Sequence, residues 1–268
     1  MPVVVHLSDL HFGAHRDELV ESVLVDVAEQ RPDLVVISGD WTQRARRAQF
    51  RRAQEFLAEV RGPVLTVVGN HDLPLFDLAR RLVAPTRRYE RYITPELTPV
   101  AVVPGVVGVG LATMPRWRWK SGRVSQRQAD LVRDAWDDCA PGAWRLLVSH
   151  HPVLPAGLAG VLGRRRLVGA CAGAGVAILL SGHTHVPSTG LVTLEATGVR
   201  RRALSVVAGT VTSTRTRGTP NAYAVLHLDA RMEVGATLAV EVREPAGPGW
   251  ATARVARFRY AADGVVVA

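Results

Sequence analysis

Five short clusters carry side chains able to hold a metal ion or move a proton: Asp9 and His11; Asp40; Asn70, His71 and Asp72; His150 and His151; His183 and His185. Six of the nine histidines fall in these clusters. Imidazole with carboxylate suits first-row ions of intermediate softness: iron, manganese, zinc, cobalt or nickel. Neither cysteine, Cys139 or Cys171, is in a cluster, which excludes a structural thiolate zinc site. The donors exceed what one ion needs. A bridged pair of ions explains the excess, with Asp40 the natural bridge. Two ions about 4 Å apart can hold a phosphoryl group, supply hydroxide at neutral pH and stabilise the charge of a pentacoordinate phosphorus.

Each cluster closes an apolar run: Val3–Leu7, Leu34–Ser38, Val64–Val68, Arg145–Ser149 and Val176–Leu180. Such runs read as strands buried on both faces. Asp9 and His11 lie two apart, so an extended segment points them to one side. Helices are expected over 17–30, where Leu19, Val20, Val23, Leu24 and Val27 keep the helical period, and over 45–60. Pro32 stops the first and Gly62-Pro63 the second. The β-α-β-α-β order predicts parallel strands with right-handed crossovers, placing Asp9, Asp40 and Asn70 at adjacent carboxyl ends, where open α/β sheets bind ligands. Residues 73–83 are expected to be helical, 84–99 irregular, 100–103 and 106–112 strands. Ser125 is expected to cap a helix to 138. Residues 157–175 are rich in small residues with a helical middle near 164–172. After His185 the chain turns strand-rich (191–194, 203–207, 222–228, 237–242 and 253–260), and the alternation Arg257-Phe258-Arg259-Tyr260 fits a one-sided edge strand. No linker or repeat appears, so 1–268 is expected to be a single domain.

At 268 residues with 47% apolar content, the chain can bury a substantial core. Two cysteines exclude a disulfide framework. No apolar segment is long enough to span a bilayer. Met1-Pro2 leads directly into a strand with no signal arrangement, and a soluble cytoplasmic protein is expected. The net charge of +9 raises the prior for an anionic substrate or nucleic acid. Arginine dominates, with Lys120 the sole lysine, which reads as compositional bias.

The ordered blocks Asp-x-His, Gly-Asp, Gly-Asn-His-Asp, His and Gly-His-x-His, all complete between Asp9 and His185, resemble the calcineurin-like metallophosphoesterase superfamily. The resemblance implies a four-layer α/β/β/α sandwich of two mixed sheets. It implies that Asp9, His11 and His185 hold one ion, that Asn70, His150 and His183 hold a second, and that Asp40 bridges them. It further implies in-line attack of a metal-bound hydroxide on phosphorus, with His71 as acid or charge stabiliser and Asp72 orienting it. His151 is expected to line the pocket. The substrate implied is a small-molecule phosphoester, a diester first; a DNA or RNA nuclease and a lipid pyrophosphohydrolase are the alternatives. The third-position histidine of Gly-Asn-His-Asp lowers the lipid reading, and a chain this short leaves little room for a nuclease's capping domain.

Two basic segments stand apart from the blocks. Arg116-Trp117-Arg118-Trp119-Lys120 alternates cation and aromatic, a pattern that could stack a base or clamp a phosphate or equally pack as a surface loop. Arg215 and Arg217 sit in a turn where solvation is the simpler reading, as it is for Arg44, Arg46, Arg47, Arg51 and Arg52.

Overall fold

The computed structural model describes residues 1–153 and 161–268; the first part of the 157–175 stretch, residues 157–160, lies outside the described residues. The elements run β1 (Val3–Leu7), α1 (Asp17–Glu29), β2 (Leu34–Ile37), α2 (Arg47–Glu59), β3 (Val64–Thr66), α3 (Leu78–Val83), α4 (Arg87–Tyr92), β4 (Val100–Val103), β5 (Val106–Leu111), α5 (Gln126–Asp134), β6 (Trp144–Ser149), α6 (Arg164–Gly173) and β7 (Ile178–Ser181). Six strands follow: β8 (Ser188–Ala196), β9 (Val199–Val207), β10 (Tyr223–Leu228), β11 (Thr237–Ala246), β12 (Gly249–Ala261) and β13 (Gly264–Val267).

Hydrogen bonding orders the strands β3-β2-β1-β10-β11-β12-β13-β9-β7-β6-β5-β4, with β8 on β9. β1, β2 and β3 pair in parallel, as do β5, β6 and β7. Two sheets were expected; instead one hydrogen-bonded sheet holds all the strands of the described residues, because β13 touches β9 at the single pair Gly264 and Arg202. Gly264, at φ +113°, makes that contact possible, since a Cβ there would meet the Arg202 carbonyl oxygen at 2.0 Å.

Alternation along the strands divides the core. Val4, Leu34, Val36, Leu146, Val148, Ile178 and Leu180 share one buried cluster with Leu226 and Val240. Their neighbours Val5, Leu7, Val35 and Ile37 face a second cluster holding Val20, Val23 and Val27 of α1 and Phe50, Ala53 and Phe56 of α2. Leu147 and Leu179 face a third with Ala129 and Val132 of α5 and Leu167 of α6. Strands buried on both faces must be apolar throughout, which is why these runs lack alternation. A partly buried ion pair ties α1 to the late strands: Arg243 bonds both carboxylate oxygens of Asp26 at 2.6 and 2.7 Å, and Tyr223 also donates to Asp26.

Several expectations need correction. The helix expected from 73 begins only at Leu78, where Asp77 accepts from the Arg80 amide and so fixes the start. The stretch 84–99 is not wholly irregular but contains α4. α5 begins with Ser125 as cap, reinforced by Gln128, and ends at Asp134. β12 buries Phe258 and exposes Arg257 and Arg259, yet it is interior, paired with β11 and β13. Among the described residues, no helix is long and apolar enough to cross a membrane.

Candidate metal centre

The loops after β1, β2, β3, β6 and β7 bring all seven expected donors together. Asp9, His11, Asp40 and His185 are buried, with donor atoms within 4.8 Å of one another. His185 Nε2 lies 3.0 Å from Asp9 Oδ1 and 3.1 Å from His11 Nε2. Beside them, Asn70 Oδ1 stands 3.1 Å from His150 Nε2 and 3.0 Å from His183 Nδ1, and those two nitrogens are 3.2 Å apart. Asp40 Oδ2 faces both groups, 3.6 Å from His11 Nε2 and 3.4 Å from His150 Nε2.

Local geometry is strained to achieve this. Asp9, His11, Asp40, His183 and His185 all have positive φ, between +52° and +69°. Non-glycine residues seldom adopt that region, though Asp and His tolerate it best. The glycines of the motifs permit close approach. A Cβ on Gly69 would meet Asp40 Oδ1 at 2.1 Å, and one on Gly182 would meet Ser8 Oγ at 1.8 Å.

The donors are aimed by their other atoms. His150 and His185 each direct Nδ1 to a backbone carbonyl, of Ser38 at 2.9 Å and of Arg215 at 2.6 Å. Nδ1 therefore donates, and the Nε2 lone pair turns inward, an orientation suited to metal ligation. Asp9 Oδ2 accepts from the Ser8 hydroxyl at 2.6 Å and the His183 amide at 2.9 Å, whereas buried Oδ1 makes no hydrogen bond. An orphaned carboxylate oxygen among converging imidazole lone pairs is a donor set for cations, and it fits a pair of metal ions.

Burial would raise the Asp9 carboxyl, but the adjoining His11 and His185 imidazoles hold it well below the usual carboxylate range. Asp40 is likewise held low despite burial, chiefly by the charge of His150. Burial lowers His150, but Asp40 outweighs it and lifts the imidazole to about 9, so an ion bound at Nε2 would displace a proton and free the lone pair. Burial, then His150, press His183 down to about 4. Both carboxylates thus stay ionised, as metal ligands must.

Around the centre, His71 directs Nδ1 to the Gln43 carbonyl at 2.9 Å, and its Nε2 lies 3.3 Å from a guanidinium nitrogen of Arg215. Asp72 does not orient this ring. Its carboxylate accepts from the amides of Gly69, Trp41 and Thr42 and from the Thr42 hydroxyl, bracing two loops against each other. The His151 ring packs against His183 and His150, 4.6 and 5.1 Å between centroids, but its nitrogens point elsewhere: Nδ1 is 2.8 Å from Thr113 Oγ1 and Nε2 3.0 Å from the Lys120 carbonyl. Arg217 is exposed, but Arg215 is not merely a solvated turn residue, since it reaches His71.

The segment Arg116–Lys120 is anchored from below. Buried Arg81 donates to the carbonyls of Arg116, Arg118 and Pro74, and its guanidinium lies 4.3 Å from the Trp119 ring. Trp117, 57% exposed, has Arg123 at 5.1 Å from its ring. Each tryptophan already has a guanidinium stacked on it, which fits the packed-loop reading. Residues that sequence reasoning missed act through hydroxyls and carbonyls: Gln43 behind His71, and Thr210 and Thr212, which bond the carbonyls of Asp9 and Leu10 at 2.6 and 2.7 Å. Their partners are distant in the chain, and no local pattern marks them.

Comparison with known proteins agrees with this geometry. A curated glycerophosphodiester phosphodiesterase of Enterobacter lignolyticus is 35% identical over 81 residues, spanning 26% of this chain and 29% of that protein. In three dimensions the chain is similar to a purple acid phosphatase from yellow lupin seeds, with a TM-score of 0.72 at 12% identity, covering 97% of this chain and 54% of that one. It is also similar to a dimetal phosphatase from Danio rerio, with a TM-score of 0.61 at 15% identity over 94% and 98% of the two chains. The model of the calcineurin-like phosphoesterase family matches residues 2–187. That span contains every donor from Asp9 to His185, and the chain therefore belongs to the calcineurin-like phosphoesterase family.

Proposed function

We propose that the chain hydrolyses a small-molecule phosphodiester at a centre of two metal ions. Asp9, His11 and His185 would hold one ion, Asn70, His150 and His183 the other, and Asp40 would contribute to both. The observation that carries this reading is Asp40 Oδ2, one oxygen placed within 3.6 Å of a histidine nitrogen from each group. Bound there, the ions would supply Lewis acidity and a nucleophile at neutral pH.

The protein's own groups divide the remaining work. With Nδ1–H donated to Gln43, His71 presents an accepting Nε2, and Arg215, which can only donate, faces it. Burial lowers the His71 pKa, so the resting imidazole is neutral. A phosphate entering beside Nε2 brings negative charge, which favours protonation of that nitrogen. His71 can then give its proton to the departing oxygen while Arg215 balances charge on the phosphoryl group. The likeness to a glycerophosphodiester phosphodiesterase supports a diester substrate. The reading takes residues 1–268 as one domain, since β10 pairs with β1 and β9 with β7.

The test is hydrolysis of bis(p-nitrophenyl) phosphate beside p-nitrophenyl phosphate by protein stripped of metal and reloaded with Mn²⁺. The diester should be the faster substrate. A preference for the monoester would overturn the diester assignment.

A further inference from the structure

A second strongly basic feature lies outside the metal centre. A cavity of about 230 Å³ opens between the start of α2, the end of α3 and the whole of α4. Five arginines line it, Arg47, Arg80, Arg87, Arg88 and Arg91, together with Ala84 and Tyr92. No acidic side chain is among the lining residues. Arg80 has a carboxylate partner, Asp77, at 3.3 Å; the other four have none within ion-pair distance among the described residues. Crowding is evident at Arg88, whose guanidinium is held below its ordinary value by burial and then by Arg80 and Arg47.

Like charges brought together in a concave space repel one another unless an anion joins them. Guanidinium is also the group best matched to phosphate oxygens, through paired N–H donors in a fixed fork. The volume falls below the range of drug-sized pockets and suits a compact charged group. We propose that this cavity is a binding site for a phosphate-bearing polyanion, separate from the metal centre. None of the metal donors lines it. It stands instead behind the loop that carries Gln43: Arg88 donates to the Ala45 carbonyl at 2.6 Å, and the Ala45 amide donates to Thr42 Oγ1 at 3.0 Å. Exposed Leu82 and Val83 border Ala84 in the chain, so the phosphate could be presented free in solution or on a lipid headgroup.

The experiment is calorimetric titration of the metal-loaded full chain with tripolyphosphate and, separately, with phosphatidylcholine vesicles with and without phosphatidic acid. Wild type is compared with Arg87→Gln/Arg91→Gln, two exposed positions outside the core, and with Arg165→Gln/Arg166→Gln, which removes equal charge elsewhere. The metal centre also attracts phosphate, so its occupancy is followed independently by inhibition of diester hydrolysis. The first variant should lose at least tenfold in affinity for tripolyphosphate, for the phosphatidic acid vesicles, or for both, with inhibition at the metal centre unchanged. A loss confined to vesicles assigns the lipid source, and one seen with tripolyphosphate assigns the free anion. Equal affinity and stoichiometry in wild type and the Arg87/Arg91 variant would overturn the proposal. So would an equal loss in the Arg165/Arg166 variant, which would make net charge the cause. Should diester hydrolysis itself be absent, the calorimetric comparison still decides the question.

Discussion

The two donor groups of the centre are built differently. Asp9, His11 and His185 are all buried and include a carboxylate of their own in addition to shared Asp40. Their loop is held from behind by Thr210 and Thr212. Asn70, His150 and His183 have only the shared carboxylate, and Asn70 and His183 are half-buried. Charge count and rigidity set how tightly a site holds a cation. The first group should therefore hold its ion tightly, and the second should hold a looser ion on the side open to substrate.

The largest effect should come from removing what the groups share. Asp40→Ala should lose both ions and all turnover, as measured by elemental analysis beside diester hydrolysis; retention of two ions would remove Asp40 as the bridge. His71→Ala should keep both ions yet lose roughly 10²- to 10⁴-fold in kcat, the range for general acid–base catalysis. Metal loss equal to that of Asp40→Ala would assign His71 to the ligand set instead.

Arg215→Gln should act more mildly, weakening diester turnover by roughly ten- to a hundredfold, in line with loss of one charge-assisted hydrogen bond. The effect should fall on kcat/KM with metal content unchanged. An unaltered kcat/KM would return Arg215 to the solvated turn.

How much of this was legible in the sequence depends on distance along the chain. The strands, and the convergence of the seven candidate donors at their ends, were legible because each apolar run ends in its own polar cluster. Asp72 was misread because its neighbour in sequence is His71, whereas its hydrogen bonds go to Gly69, Trp41 and Thr42. Arg215 was underrated for the same reason: the imidazole it faces lies 144 residues away. α4 was hidden by an Arg- and Pro-rich composition typical of loops, and β13 is only four residues long. The single pair joining β13 to β9 depends on a glycine's positive φ, which no periodicity reports.

The smallest effect concerns a residue beneath both groups that belongs to neither. His6 is buried with Nε2 2.9 Å from Ser38 Oγ, and burial holds its pKa at about 3 against an ordinary 6.5. The folded imidazole is neutral, so between pH 6.5 and 3 only the unfolded chain takes up that proton. Stability therefore falls as pH drops through this window, by up to about 1.4 kcal/mol per pH unit from this group. His6→Gln should flatten the acid limb of a denaturation series without changing metal stoichiometry at neutral pH. An unchanged slope would contradict a neutral buried His6.

The inequality of the two groups is tested most directly by titrating Mn²⁺ into chelator-stripped wild type and Asn70→Ala, with binding followed by calorimetry. Wild type should show two resolved events, the second at least tenfold weaker, and Asn70→Ala should lose only the weaker one. Two equal events in wild type, or loss of both in the variant, would contradict that inequality.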